Sequence, residues 1–95
     1  MLNKCKNTGM LYAYIKEATV YECRGIIRIS LKGKPTFIAG GYLAKDGKFK
    51  ASWPQGGFNW RKNQLQADWS ERIEKFISEN EIELLKTAQE IQAAL

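Results

Sequence analysis

Arg28, Lys32, Lys34, Lys48 and Lys50 fall in one stretch of the chain with Tyr42 among them, and Trp60 stands directly before Arg61 and Lys62. Cations interleaved with aromatic rings suit a sugar–phosphate backbone, where charges neutralise phosphates and a ring stacks on an exposed base. The same residues also fit a plain solvated sheet whose lysines discourage edge-to-edge aggregation. Charge balance favours the first reading. Residues 1–62 hold 12 Lys and Arg against three acids, net +9, and residues 63–95 hold three basic residues against seven acids, net −4. A basic front half joined to an acidic tail gives an oriented field, one side of which suits polyanions.

Other chemistry is excluded by what is missing. The chain has no histidine, which removes a Ser-His-Asp triad, a Cys-His nucleophile and a His-ligated zinc. Cys5 and Cys23 are 18 residues apart, with no further cysteine to complete a zinc set. Gly40-Gly41 and Gly56-Gly57 lack the Lys-Ser/Thr that follows a phosphate-binding loop. The tail acids fall mostly on the solvent side of helices, and no Ser, Thr, Tyr or Lys stands beside an evident base. The expectation is no enzyme, no cofactor and no metal. The N-terminus, Met1-Leu2-Asn3-Lys4-Cys5-Lys6, lacks a long apolar core and a small-residue cleavage site. No apolar run approaches the roughly 20 residues of a membrane helix. Two free thiols then place the expected setting in the cytoplasm.

These residues need elements to hold them. At 95 residues, one small domain is expected, with residues 1–62 as its basic β-sheet part and residues 63–95 as its acidic helical part. Leu11, Ala13 and Ile15 alternate with Tyr12, Tyr14 and Lys16, and Thr19 to Cys23 is β-branched and aromatic. Ile27, Ile29 and Leu31 alternate with Arg28, Ser30 and Lys32, the period-2 mark of a half-buried strand. Lys32-Gly33-Lys34-Pro35 supplies a turn into a strand over 36–43, and Lys45-Asp46-Gly47-Lys48 predicts a type I′ hairpin before Phe49, Ala51 and Trp53. One face then carries Ile27, Ile29, Leu31, Phe37, Ala39, Leu43, Phe49, Ala51 and Trp53. The other gathers Arg28, Ser30, Ile38, Tyr42, Lys48, Lys50 and Ser52. Gly40-Gly41 inside a strand marks a bulge, a bend or a close backbone approach. Phe58-Asn59-Trp60 reads as a short strand. Trp53 and Trp69 lie on apolar stripes and are expected in the core, leaving Trp60 as the stacking candidate.

From Asp68 the period becomes helical. Asp68-Trp69-Ser70-Glu71 has capping-box spacing, and Trp69, Ile73, Phe76 and Ile77 form one apolar stripe. Asn80-Glu81-Ile82-Glu83 repeats that spacing, so a break is expected near Ser78–Asn80, before a second helix on Leu84, Leu85, Ala88, Ile91 and Leu95. A continuous helix is the competing reading, since Ile77, Leu84 and Ile91 recur every seven residues.

The order of elements resembles a known family. Ile27-Arg28-Ile29-Ser30-Leu31, a turn, Phe37-Ile38-Ala39 with Tyr42-Leu43, Asp46-Gly47-Lys48-Phe49, Trp53-Pro54, Gly57-Phe58 and Glu71-Arg72-Ile73 look like the core of the SpoVG-type septation and sporulation regulators. The resemblance implies a four-stranded sheet with C-terminal helices, a homodimer and DNA binding. Where that family has a basic Ser-Arg-Lys loop, this chain has uncharged Gln55-Gly56-Gly57, which leaves Arg61 and Lys62 as the cations there. The meander, the glycines before the last strand and Trp69 near a helix start also resemble the transcriptional-coactivator/Whirly type of single-stranded-DNA binder.

The expected fold is α+β, an antiparallel four- to five-stranded β-meander with one face covered by C-terminal helices. The expected function is homodimeric binding of DNA or RNA through Arg28, Lys32, Lys34, Lys48 and Lys50, with Arg61 and Lys62 at the rim and Tyr42 or Trp60 stacking on bases. The alternative is a protein–protein interaction module, such as a phage- or plasmid-type inhibitor of a host enzyme, with the apolar last helix as the contact.

Overall fold

A computed structural model describes the backbone of residues 2–33, 37–52 and 63–95, and their side chains except those of 32–33, 37–38 and 63–69. Six strands run in sequence order through one antiparallel sheet: β1 (Asn3–Lys4), β2 (Leu11–Ile15), β3 (Ala18–Cys23), β4 (Ile26–Gly33), β5 (Phe37–Leu43) and β6 (Phe49–Ser52). Two helices follow, α1 (Asn63–Glu79) and α2 (Glu81–Ala94). This is the expected α+β meander, with six strands rather than four or five. The extra one is β1, two residues whose partners are Tyr12 and Leu11. It is too short to show any alternation, so nothing local marks it as a strand. The expected strand at Phe58–Trp60 lies outside the described residues.

Period-2 alternation decides which face is buried. Ala13, Val20, Ile29, Gly41 and Ala51 are successive register partners across β2 to β6, and Ile15, Ala18, Leu31 and Ala39 form the next row. Every strand residue in these two rows is buried except the half-buried Ala51. Ile73 and Phe76 of α1 and Leu84, Ala88 and Ile91 of α2 complete this core. Fully burying one aliphatic side chain of this size is worth about 1.5–3 kcal/mol, so this face holds the two layers together. α1 lies over β5 and β6, and α2 lies over β2 and β3.

Gly40 and Gly41 form no bulge. The register runs unbroken from Arg28↔Tyr42 to Gly33↔Phe37, and from Gly40↔Ser52 to Leu43↔Phe49. The close approach is real, and it belongs to Gly41 alone. A Cβ there would sit 2.7 Å from the Lys50 carbonyl oxygen, 2.8 Å from Ile29 Cγ2 and 3.5 Å from Ile77 Cδ1 of α1.

The helix break falls at Asn80, as the pattern near Ser78–Asn80 predicts. Its chemistry differs from a capping box. Asn80 is buried, at 5% exposure, and makes no side-chain N-cap bond to α2. Its Nδ2 donates instead to the Phe76 carbonyl at 2.9 Å, and its backbone N–H donates to the same oxygen at 3.1 Å. That carbonyl, in the last turn of α1, thus accepts both the final helical N–H and the side-chain amide. Ile77, Leu84 and Ile91 therefore make no seam of one straight helix. α1 also starts five residues before Asp68. Gln64, Leu65, Gln66 and Ala67 are strong helix formers, and their summed propensity overrides the capping-box signal. No described helix is long and apolar enough to cross a membrane.

Candidate nucleic-acid interface

The face away from the helices is assembled by register. Asn3, Tyr12, Tyr21, Arg28, Tyr42 and Lys50 are successive partners across β1 to β6, one side chain from each strand. The adjacent row is Tyr14, Thr19, Ser30, Gly40 and Ser52. All four tyrosines of the chain stand in these two rows. None of the residues in either row is buried. Tyr14 is the most open, at 65% exposure, and its ring meets that of Tyr12 edge-on at 5.6 Å and 77°. Among the described residues, no strand position on this face is acidic.

The cations are arranged by the β5–β6 hairpin. The Ala44 N–H donates to the Lys48 carbonyl at 2.9 Å, and the Gly47 N–H donates to the Ala44 carbonyl at 3.0 Å. Within Lys45–Lys48 a positive φ, 84°, occurs at Gly47 alone. The loop is thus a three-residue turn closed by a left-handed glycine, not the type I′ turn that Asp-Gly suggests. One carboxylate organises it. Asp46 Oδ1 accepts the Lys48 N–H at 3.0 Å, and Oδ2 pairs with Lys50 Nζ at 3.1 Å. Asp46 is held below the ordinary carboxylate range, chiefly by the Lys50 hydrogen bond and then by the Lys48 N–H. The ion pair is about half exposed on both sides, so Lys50 remains reachable but is partly neutralised.

The sequence candidates divide accordingly. Arg28, Tyr42 and Lys50 come together in one row. Lys48 is exposed in the turn two residues before Lys50. Lys32 belongs to β4 opposite Ile38, with its side chain outside the described set. Lys34, Trp60, Arg61 and Lys62 lie outside the described residues, as does the Trp69 side chain. Tyr12, Tyr14 and Tyr21 were not among the candidates. Alternation already put Tyr12 and Tyr14 on one side of β2, but only register joins that side to Arg28.

The helical layer has the opposite charge. Glu71, Glu74, Glu79, Glu81, Glu83 and Glu90 are all exposed there. A cleft of about 640 Å³ opens between α2 and the turns after β3 and β5, walled by Ile27, Leu43, Ala88, Gln89 and Gln92. Among the described residues that line it, Lys45 is the one ionisable group. Both cysteines are free. The Cys5 thiol is pulled below its ordinary value by the Thr8 hydroxyl and then by the Thr8 and Asn7 backbone N–H groups. Among the described residues, no three His, Cys, Asp or Glu side chains gather as a metal site would require. Comparison with family models, curated proteins and solved structures found no match to this chain.

Proposed function

We propose that this protein binds nucleic acid through the open face of its sheet, without catalysis. The observation that carries this reading is the row Tyr12–Tyr21–Arg28–Tyr42–Lys50, in which three aromatic rings and two cations share a face whose described strand positions carry no carboxylate. Phosphates are drawn by Arg28, Lys48 and Lys50. The exposed glutamates of α1 and α2 repel a polyanion from the other side and so orient the encounter. Lys32, Lys34, Arg61 and Lys62 extend the same cationic character along the chain, and Trp60 adds a further ring.

The test is a titration of labelled single- and double-stranded oligonucleotides at two salt concentrations, with sedimentation run alongside to establish how many protomers bind. Binding that weakens steeply with salt is expected, because each neutralised phosphate adds about −0.7 to −0.9 to the log–log slope. Absence of binding to every oligonucleotide at low salt overturns the reading in favour of a protein partner.

A further inference from the structure

We infer that the open face takes single-stranded nucleic acid, laid across the strands with unpaired bases stacked on the tyrosine rings. This rests on the nucleic-acid reading above and adds strandedness, path and contact residues to it.

The rings argue first. Tyr21 and Tyr42 are the two register partners of Arg28, so the row sets one arginine between two tyrosines. Tyr12 continues the row on the far side of Tyr21, and Tyr14 lies one register step away. A tyrosine ring stacks on the face of a base, and in a duplex both faces are already covered by neighbouring pairs. The major groove of a duplex admits a helix or a two-stranded ribbon. A six-stranded face meets only the phosphate ridges of a duplex and leaves four rings without partners. A single strand satisfies rings and cation together, with a phosphate at Arg28 between bases on Tyr21 and Tyr42.

The floor beside the rings argues second. Thr19, Ser30, Gly40 and Ser52 form a row of small residues alongside the tyrosine row. Gly40 differs from its neighbour Gly41 in one respect that matters. Among the described residues, a Cβ at Gly40 would meet Ile29 O and Ser52 Oγ, each at 3.6 Å, which is ordinary contact. Packing does not demand glycine at 40. Its lack of a side chain keeps the middle of the face low, where a base edge would lie.

The path follows from the register. Strands spaced about 4.8 Å apart put Tyr12 and Lys50 roughly 19 Å apart across β2 to β6. Sheet platforms of this kind stack about two or three bases, which matches the three rings of the row. No described carboxylate stands in the row, and Asp46 is paired with Lys50 at one end.

The experiment uses the full chain and three probes: a short mixed-sequence single strand made as DNA and as RNA, an abasic strand of the same length, and the corresponding duplex. The intact strand is expected to bind at least about tenfold more tightly than the abasic strand or the duplex. Tyr21→Leu and Tyr42→Leu are each expected to weaken intact-strand binding roughly tenfold and to leave abasic binding unchanged. Equal affinity for intact and abasic strands, or tighter duplex binding, overturns this inference and leaves the nucleic-acid reading standing. Loss of binding to all probes overturns both. Should a tyrosine variant fail to fold, the comparison of intact and abasic strands on the unaltered chain still decides.

Discussion

Arg28 stands directly opposite Tyr42 across the β4–β5 ladder, and both side chains lie on the face that the helices leave open. The register of the ladder sets this placement. It brings a fixed cation and a ring together on a rigid sheet, where little further ordering is needed on binding.

Arg28→Ala should therefore remove one phosphate contact without disturbing the fold. The expected result is a slope of log affinity against log salt that is shallower by about 0.7 to 0.9. An unchanged slope would place Arg28 outside the phosphate path.

Asp46→Asn should strengthen polyanion binding, because it frees Lys50 while an amide oxygen can still accept the Lys48 N–H. The pH dependence follows from the lowered carboxyl of Asp46. Its stabilising pair is fully formed above the ordinary aspartate value and is lost as pH falls through the lowered folded value. The affinity advantage of Asp46→Asn should accordingly shrink as the medium is acidified through that range. The stability change should be small, since both partners are half exposed. Oligonucleotide titrations across acidic pH would measure it.

Gly41→Ala and Gly40→Ala should separate the two glycines. The first forces a methyl to 2.7 Å from a backbone oxygen and 2.8 Å from Ile29, beneath α1. Overpacking of this kind costs about 1–3 kcal/mol, read from the denaturant midpoint. Gly40→Ala meets no described atom closer than 3.6 Å and should fold with near-unaltered stability. Equal losses at both positions would contradict the close approach of the Lys50 carbonyl and Ile29 to Gly41.

Asn80→Ala should lower the thermal midpoint while leaving the far-UV helical signal undiminished. Its side-chain bond to the Phe76 carbonyl is buried, and such a bond contributes about 0.5–1.5 kcal/mol. Alanine favours a helix running on through the junction, against the separate seats of α1 and α2.

Cys5 should be alkylated faster than an unperturbed thiol at neutral pH, because its lowered pKa leaves more thiolate. Thr8→Val removes the hydroxyl that contributes most and should slow the reaction. Mass mapping of iodoacetamide adducts against time would show whether it does.

The buried face of the sheet was readable from alternation. Ile27, Ile29, Leu31, Ala39 and Phe49 declare themselves by period 2, and Ile73, Phe76, Leu84, Ala88 and Ile91 by helical spacing. The break at Asn80 was readable too, since Asn80-Glu81-Ile82-Glu83 repeats a helix-start spacing, although the Asn80 side chain does not cap α2. The start of α1 and the turn at Lys45–Lys48 were not. Competing local signals overlap there, and a small free-energy difference settles the outcome. β1 carried no signal because a two-residue strand has no period.

Residue order by itself determined which side of each strand is apolar, where the helices divide, and that basic residues precede acidic ones. Only tertiary structure decided that Tyr12, Tyr21, Arg28, Tyr42 and Lys50 make one row. Alternation assigns a residue to a face of its own strand and leaves its neighbours on other strands open. Turn lengths and the packing of α1 and α2 fix how far each strand slides against the next. A slip of one residue would turn every side chain of that strand to the opposite face.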